Sequence, residues 1–307
     1  MAKKERVFSL SGGRFNSIDA LRGFDMFWIL GAGEVLRRLL MIFMNPLPGW
    51  LGAQFDHAEW IGLTAWDIIM PLFLFLVGTS MPLSLSKRLA RGDSRRSIYL
   101  HTFRRVCVLW ILGMAAQGNL LGFDPSKFFY FSNTLQAIAV GYLVSMVLIL
   151  HTGIIVQLSA IAVMLVAYWL LLVLVPVPGY GAGVLTPDGN LAMYIDTVIL
   201  GRFRDGTTYT WILSGLGFAS TVMLGVMSGR ILNLQKEGKR KVLLLLAAGG
   251  GCAALGLLWS VSLPVIKHIW TSSFTLLSGG ICFLLLALFY WIIDVRGHSK
   301  WVFPLRV

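Results

Sequence analysis

The chain has 307 residues, 57% of them hydrophobic and only 13% charged, with a mean hydropathy of +0.76; an average soluble domain carries roughly 25% charged residues. That composition excludes an ordinary soluble enzyme and fits an all-α, polytopic transmembrane helical bundle, read as a single domain over 1–307 and embedded in a lipid bilayer. The net charge of +12 does not point to nucleic acid, because no basic soluble domain exists to carry a phosphate-binding face.

Apolar stretches of about twenty residues fall at 18–43, 62–86, 98–117, 133–151, 154–176, 208–233, 242–262 and 272–293, which predicts about eight spans. The basic residues gather between them: Lys3, Lys4, Arg6 and Arg14, then Lys87, Arg88, Arg91, Arg95 and Arg96, then Arg230, Lys236, Lys239, Arg240 and Lys241, with Arg296 and Lys300 last. The alternate loops hold only Arg37, Arg38, Lys127, Arg202, Arg204 and Lys267. By the positive-inside rule the N-terminus is cytoplasmic, the chain is a multi-pass protein of the cell (inner) membrane, and His57, Asp188 and Lys267 lie towards the outer face. The first span contains Arg22, Asp25 and Glu34 and lacks a small-residue cleavage site, so a removable signal peptide is not expected. About residues 177–207 form the longest connection, an outer-face loop of a length that is more often functional than idle. The final Trp301–Val307 stretch reads as the start of a further helix, as though the chain were C-terminally truncated.

Within the first span, Asp19, Arg22 and Asp25 are spaced by threes. They read either as an internally neutralised clamp or, if Arg22 faces a cavity, as a fork for phosphate. Glu34 is either a second carboxylate in such a cavity or a partner for Arg37 or Arg38. His57, flanked by Asp56 and Glu59, is placed to act as a general base, or else is an interfacial histidine bonded to a carbonyl. Asp67 lies inside the second span, where carboxylates are rare and usually face a polar cavity or a partner. Pro71 would free a carbonyl and permit a kink. Gln136, after Asn133 and Thr134, makes a polar helix start. The segment Lys267-His268-Ile-Trp270-Thr271-Ser272-Ser273 is either a sugar-binding set or an aromatic anchor with an N-cap. Cys107, Cys252 and Cys282 sit in apolar runs without paired spacing, and five scattered histidines give no ligand pattern, so no metal site is expected.

Taken together, Ser17-Ile-Asp19-Ala-Leu-Arg22-Gly23-Phe-Asp25, then His57-Ala-x-Trp60-x-Gly62-Leu63-Thr64-x-x-Asp67-x-x-x-Pro71-x-Phe-x-Phe-x-x-Gly78, resemble the heparan-alpha-glucosaminide N-acetyltransferase family and its bacterial relatives. Leu135-Gln136, Pro187-Asp188-Gly189 and Pro264-x-x-Lys267-x-x-Trp270-Thr271-x-Ser273 follow in order, so the resemblance covers most of the chain. It implies a transferase that takes acetyl from cytoplasmic acetyl-CoA to the amino group of a glucosamine-type sugar on the far side of the membrane. His57 would be the catalytic base or transient acetyl carrier and Asp67 its partner. Arg22 and Gln136 would serve the acetyl-CoA, and Glu34, Trp60, Asp188, Lys267, Trp270 and Ser273 the acceptor. A homodimer is an assembly such a bundle could form. Two departures stand out: the family's asparagine near the outer end of the first helix is replaced by Gly31-Ala32-Gly33-Glu34, and the Arg after the Gln136 position by Ala137. The family's last spans are also lacking. A sugar or proton-coupled transporter is the alternative that intramembrane charges and prolines also suit.

Overall fold

The computed structural model describes residues 15–116 and 128–305. Lys3, Lys4, Arg6, Arg14 and Lys127 lie outside the described residues, as do Gln117, the last residue of the expected third span, and Arg306 and Val307 at the chain end. Among the described residues, seven helical segments are long and apolar enough to cross a membrane: Ala65–Ala90, Arg95–Ala116, Thr134–His151, Ile154–Leu174, Gly215–Leu232, Gly238–Trp259 and Ser272–Val295. They match seven of the eight predicted spans. The largest shift is at the sixth, which starts at Gly215 rather than at 208.

The remaining span, 18–43, is a broken helix. Helix α1 (Asn16–Phe27) runs through a wide turn into α2 (Gly33–Phe43), and Gly31 between them has φ +110, a conformation that L side chains rarely adopt. The N-terminus of α1 is held from the far end of the chain, where the Asp294 carboxylate accepts from the Asn16 and Ser17 amides (3.2 and 3.1 Å). An anion there suits both the orphan N–H groups and the helix dipole. Beyond α1, α2 leaves Val35, Leu39, Ile42 and Phe43 exposed. The short α3 (Gly49–Gly52) leads to the His57 loop.

Helices α4 (Ile69–Ala90), α5 (Arg95–Ala116), α6 (Thr134–His151), α7 (Ile154–Leu174), α9 (Gly215–Leu232), α10 (Gly238–Trp259) and α11 (Ser272–Tyr290) form the bundle. Helix α9 is its hub: 83% of its most apolar window is buried, against 22% in α5, α7 and α10. Small residues allow this. A Cβ at Gly225 would lie 2.0 Å from the Phe75 carbonyl oxygen, and one at Gly78 1.9 Å from that of Val222. Glycine at these points lets α4 and α9 touch backbone to backbone, and a Thr79–Ser228 hydroxyl pair (2.7 Å) spans the same seam.

Residues 175–214 are a folded cap with its own helix, α8 (Leu191–Leu200), started by the Asn190 side chain accepting from the Met193 amide. Leu191 and Ala192 bury against Tyr168 and Leu172 of α7 and against Leu263, Ile266 and Ile269 before α11. At the opposite end of the bundle the chain turns between α4 and α5 and between α9 and α10, so Lys87–Arg96 and Arg230–Lys241 collect there. The closing segment forms a 3-10 turn, Lys300–Leu305, tucked so tightly under α1 that a Cβ on Gly23 would strike the Leu305 carbonyl.

Candidate active site

The site begins with a helix start. Thr64 and Asp67 form a capping box at the 3-10 turn Ala65–Ile68, and Pro71 sits in the first turn of α4, where its missing N–H costs nothing. Pro82 lies deeper in the same helix. The cap carboxylate is fully buried and its two oxygens are used differently. Oδ2 accepts from the Ala58 amide (3.2 Å), the Thr64 amide (3.1 Å) and the Thr64 hydroxyl (3.0 Å). Oδ1 meets His57 Nδ1 at 2.8 Å and accepts from Lys267 Nζ at 3.1 Å.

Lys267 comes from 200 residues further along the chain, and two features bring it in. The His57 loop pairs with the loop before α11 through an antiparallel bridge, Ile61 to Ile266, in which the Gly62 amide donates to the Val265 carbonyl (2.8 Å). Gly62 has φ +128, which glycine permits. Trp270 then closes the turn from Lys267 at φ +50, the one described non-glycine residue with positive φ. Such backbone strain persists only where the surroundings hold it. Here Trp270 is buried, its indole N–H donating to Thr221 (3.1 Å) and its ring set edge-on against Phe218 and Phe274.

Lys267 Nζ also lies 3.0 Å from His57 Nδ1. As hydrogen bonds, the two contacts of Nδ1 exclude each other. Toward Asp67, Nδ1 must carry the proton, which leaves Nε2 a proton acceptor; toward a Lys267 ammonium it must be bare, which leaves Nε2–H a donor. Burial pulls the Lys267 ammonium pKa down, and the Asp67 charge opposes the shift. His57 itself is open, its side chain 44% exposed, and lines a cavity of about 460 Å3 with Lys267, Trp66, Asn133, Asp205 and Tyr209. Tyr209 stacks on His268 (4.3 Å between centroids, 6° between planes), and its hydroxyl pKa is pushed up to about 12 by burial and by the Asp67 charge.

Of the ten residues singled out from sequence, the fold brings His57, Asp67 and Lys267 together. Trp60 packs against the residue after Lys267, its ring 5.2 Å from that of His268 and its N–H donating to the Leu185 carbonyl (2.8 Å), outside the lining of the His57 cavity. The others sit apart. The Gln136 amide is fully buried, donating to the Tyr130 carbonyl (2.7 Å) and accepting from the Ser132 and Asn133 amides, so it closes a helix cap. Ser273 donates to the Pro264 carbonyl (3.0 Å), as does the α11 cap Thr271, and the pair shapes the Lys267 turn. Asp188 is exposed on the cap, and Glu34 pairs with Arg38 (2.7 Å). Arg22 donates to Ser80 (2.8 Å) and faces Asp19 at 3.8 Å. Asp56, expected beside the imidazole, instead pairs with Arg37 (3.1 Å).

Sequence reasoning missed Tyr209, Trp211, Asp205 and Thr207, which line the cavity from the lead-in to α9. Their only signal was a polar turn before an apolar run. Trp66, inside the His57–Asp67 block, was also passed over.

Fold and site define a polytopic helical protein with an imidazole held by a buried carboxylate and amine at one end of the bundle. No family model matches the chain. In sequence it is similar to the heparan-alpha-glucosaminide N-acetyltransferase of Homo sapiens, 27% identical over 348 aligned positions that cover 92% of this chain and 49% of the relative. It is also similar to the enzyme of that name from Mus musculus, 26% identical over 94% of this chain and 50% of the relative. The chain thus spans about half the length of the curated relatives it matches, and both support the resemblance read from the motifs.

Proposed function

We propose that the chain carries the active site of a membrane-embedded N-acetyltransferase, which moves acetyl from acetyl-CoA to the amino group of a glucosamine-type sugar. The observation that carries this reading is the His57 imidazole, pinned at Nδ1 by the buried Asp67 and open to a polar cavity on its other side. With the proton on Nδ1, Nε2 is a base. As the sugar nitrogen attacks the thioester carbonyl, the N–C bond forms, the C–S bond breaks, Nε2 takes the amine proton and returns it to the leaving thiolate. The same nitrogen is equally placed to accept the acetyl group first and pass it on. Asp67 balances the imidazolium of either route.

The basic clusters at the opposite end support a cytoplasmic, phosphate-bearing donor, and Arg22, part-exposed on α1, would steer it. The acceptor would then meet His57 at the outer face, with Trp60 and Tyr209 offering rings to a sugar. Purified protein in lipid nanodiscs, given acetyl-CoA and glucosamine, should release free CoA and N-acetylated sugar, and His57→Ala should slow this by about 10²–10⁴-fold. Equal rates for the two proteins would refute the role of His57. Solute flux without CoA release would instead identify a carrier.

A further inference from the structure

Asp25 takes no part in the Asp19–Arg22 pair on its own helix. It is 1% exposed, its Oδ2 has no hydrogen-bond partner, and it lines a second cavity of about 530 Å3. That cavity lies behind Trp66, which with Ile69 is also part of the wall of the His57 site. Its volume falls within the roughly 300–1,000 Å3 of small-molecule sites. The lining is apolar and aromatic: Phe24 of α1, Trp28 from the wide turn that follows it, Phe55, Trp66, Leu72 of α4 and Leu285 of α11. Two other polar side chains reach it, and both are engaged. Gln54 donates to the Trp50 carbonyl and accepts from the Ala65 amide, and Thr64 is bound to the Asp67 cap.

A buried carboxyl group with a free oxygen is unfavourable unless something completes it. Water would satisfy the carboxyl but not the apolar walls, and a hydrocarbon chain would fill the walls but leave the carboxyl bare. A compact apolar molecule with a cationic end does both. The aromatic rings around the cavity add a second attraction for such a cation, because their faces carry negative potential.

We propose that this cavity is a binding site for a hydrophobic primary amine, its ammonium against Asp25 and its apolar body between Phe24, Trp28, Phe55 and Leu285. The site is separate from the acetyl-transfer centre and does not depend on that reading. The test is calorimetric titration of the protein in lipid nanodiscs with 4-phenylbutylamine, 4-phenylbutanol serving as the uncharged match. Wild type should bind the amine saturably. Binding should weaken by at least about tenfold for the alcohol and for Asp25→Asn, which keeps shape but removes the charge. Leu285→Trp, which fills the cavity from the α11 side, should abolish it. Equal binding of amine and alcohol, or amine binding unchanged by either substitution, overturns the proposal. If Asp25→Asn fails to fold, the amine–alcohol comparison and Leu285→Trp still decide. Because binding and not acetyl transfer is read, a negative result here leaves the His57 assignment untouched.

Discussion

Asp67 and Lys267 stand or fall as a pair. Their side chains are 1% and 6% exposed and 3.1 Å apart, so each keeps the other's charge tolerable. Replacing Asp67 with Ala strands a buried ammonium and should cost about 3–5 kcal/mol. Adding Lys267→Met removes the stranded charge and should restore part of the loss, with a coupling of about 1–3 kcal/mol. Melting curves of the four proteins in one detergent measure this, and strictly additive losses would show that the two do not interact. The motif pointed to His57 and Asp67 because the two lie only 10 positions apart in sequence. Their contact with Lys267 was not legible, since no local spacing reports a bridge between Ile61 and Ile266. Asp25 teaches the reverse lesson. Three-residue steps fall about 60° short of a helical turn, so Asp25 points about 120° round from Asp19, away from the clamp that the spacing suggested.

The helices owe their contacts to glycine more than to apolar bulk. Gly225 meets the Phe75 carbonyl, so even Gly225→Ala forces α4 and α9 apart and should cost about 1–3 kcal/mol. Gly251 on α10 has open space where its Cβ would stand, and there Ala should stabilise by about 0.5–1 kcal/mol through helix propensity. Thermal unfolding of both variants separates packing from propensity; similar shifts in both would contradict the close-contact argument. Span positions were legible because hydropathy reports burial in lipid or protein alike. The break at Gly31 was not, because a glycine in an apolar run reads the same whether it packs or bends. Helix α8 was hidden too, its 10 residues being too short to stand out within a long connection.

At the scale of the whole molecule, one buried carboxylate ties α8 of the cap to the lead-in to α9. Asp196 of α8 is fully buried and accepts from the Trp211 and Ile212 amides (2.7 and 3.0 Å), which fixes the lead-in carrying Tyr209 and Trp211. Burial raises its pKa to about 6, with those two amides pulling the other way. A folded-state pKa above the unfolded 3.8 means the folded protein prefers the protonated acid. Its contribution to stability is therefore fully present below pH 3.8 and is lost as pH rises through about 6, by about 3 kcal/mol in all. Asp196→Asn should remove that slope, so the stability difference between variant and wild type should change between about pH 4 and 6 and then level off. A constant difference across that window would contradict it. Composition, span length and the placement of Lys and Arg determined by themselves that this is a multi-helix membrane protein, because the cost of exposing polar groups to lipid is written residue by residue. Only the tertiary structure decided that a lysine 210 residues away completes the histidine site, that Gln136 and Ser273 hold backbone, and that Asp25 lines a second cavity. Those outcomes rest on long-range contacts and helix rotation, which no local pattern encodes.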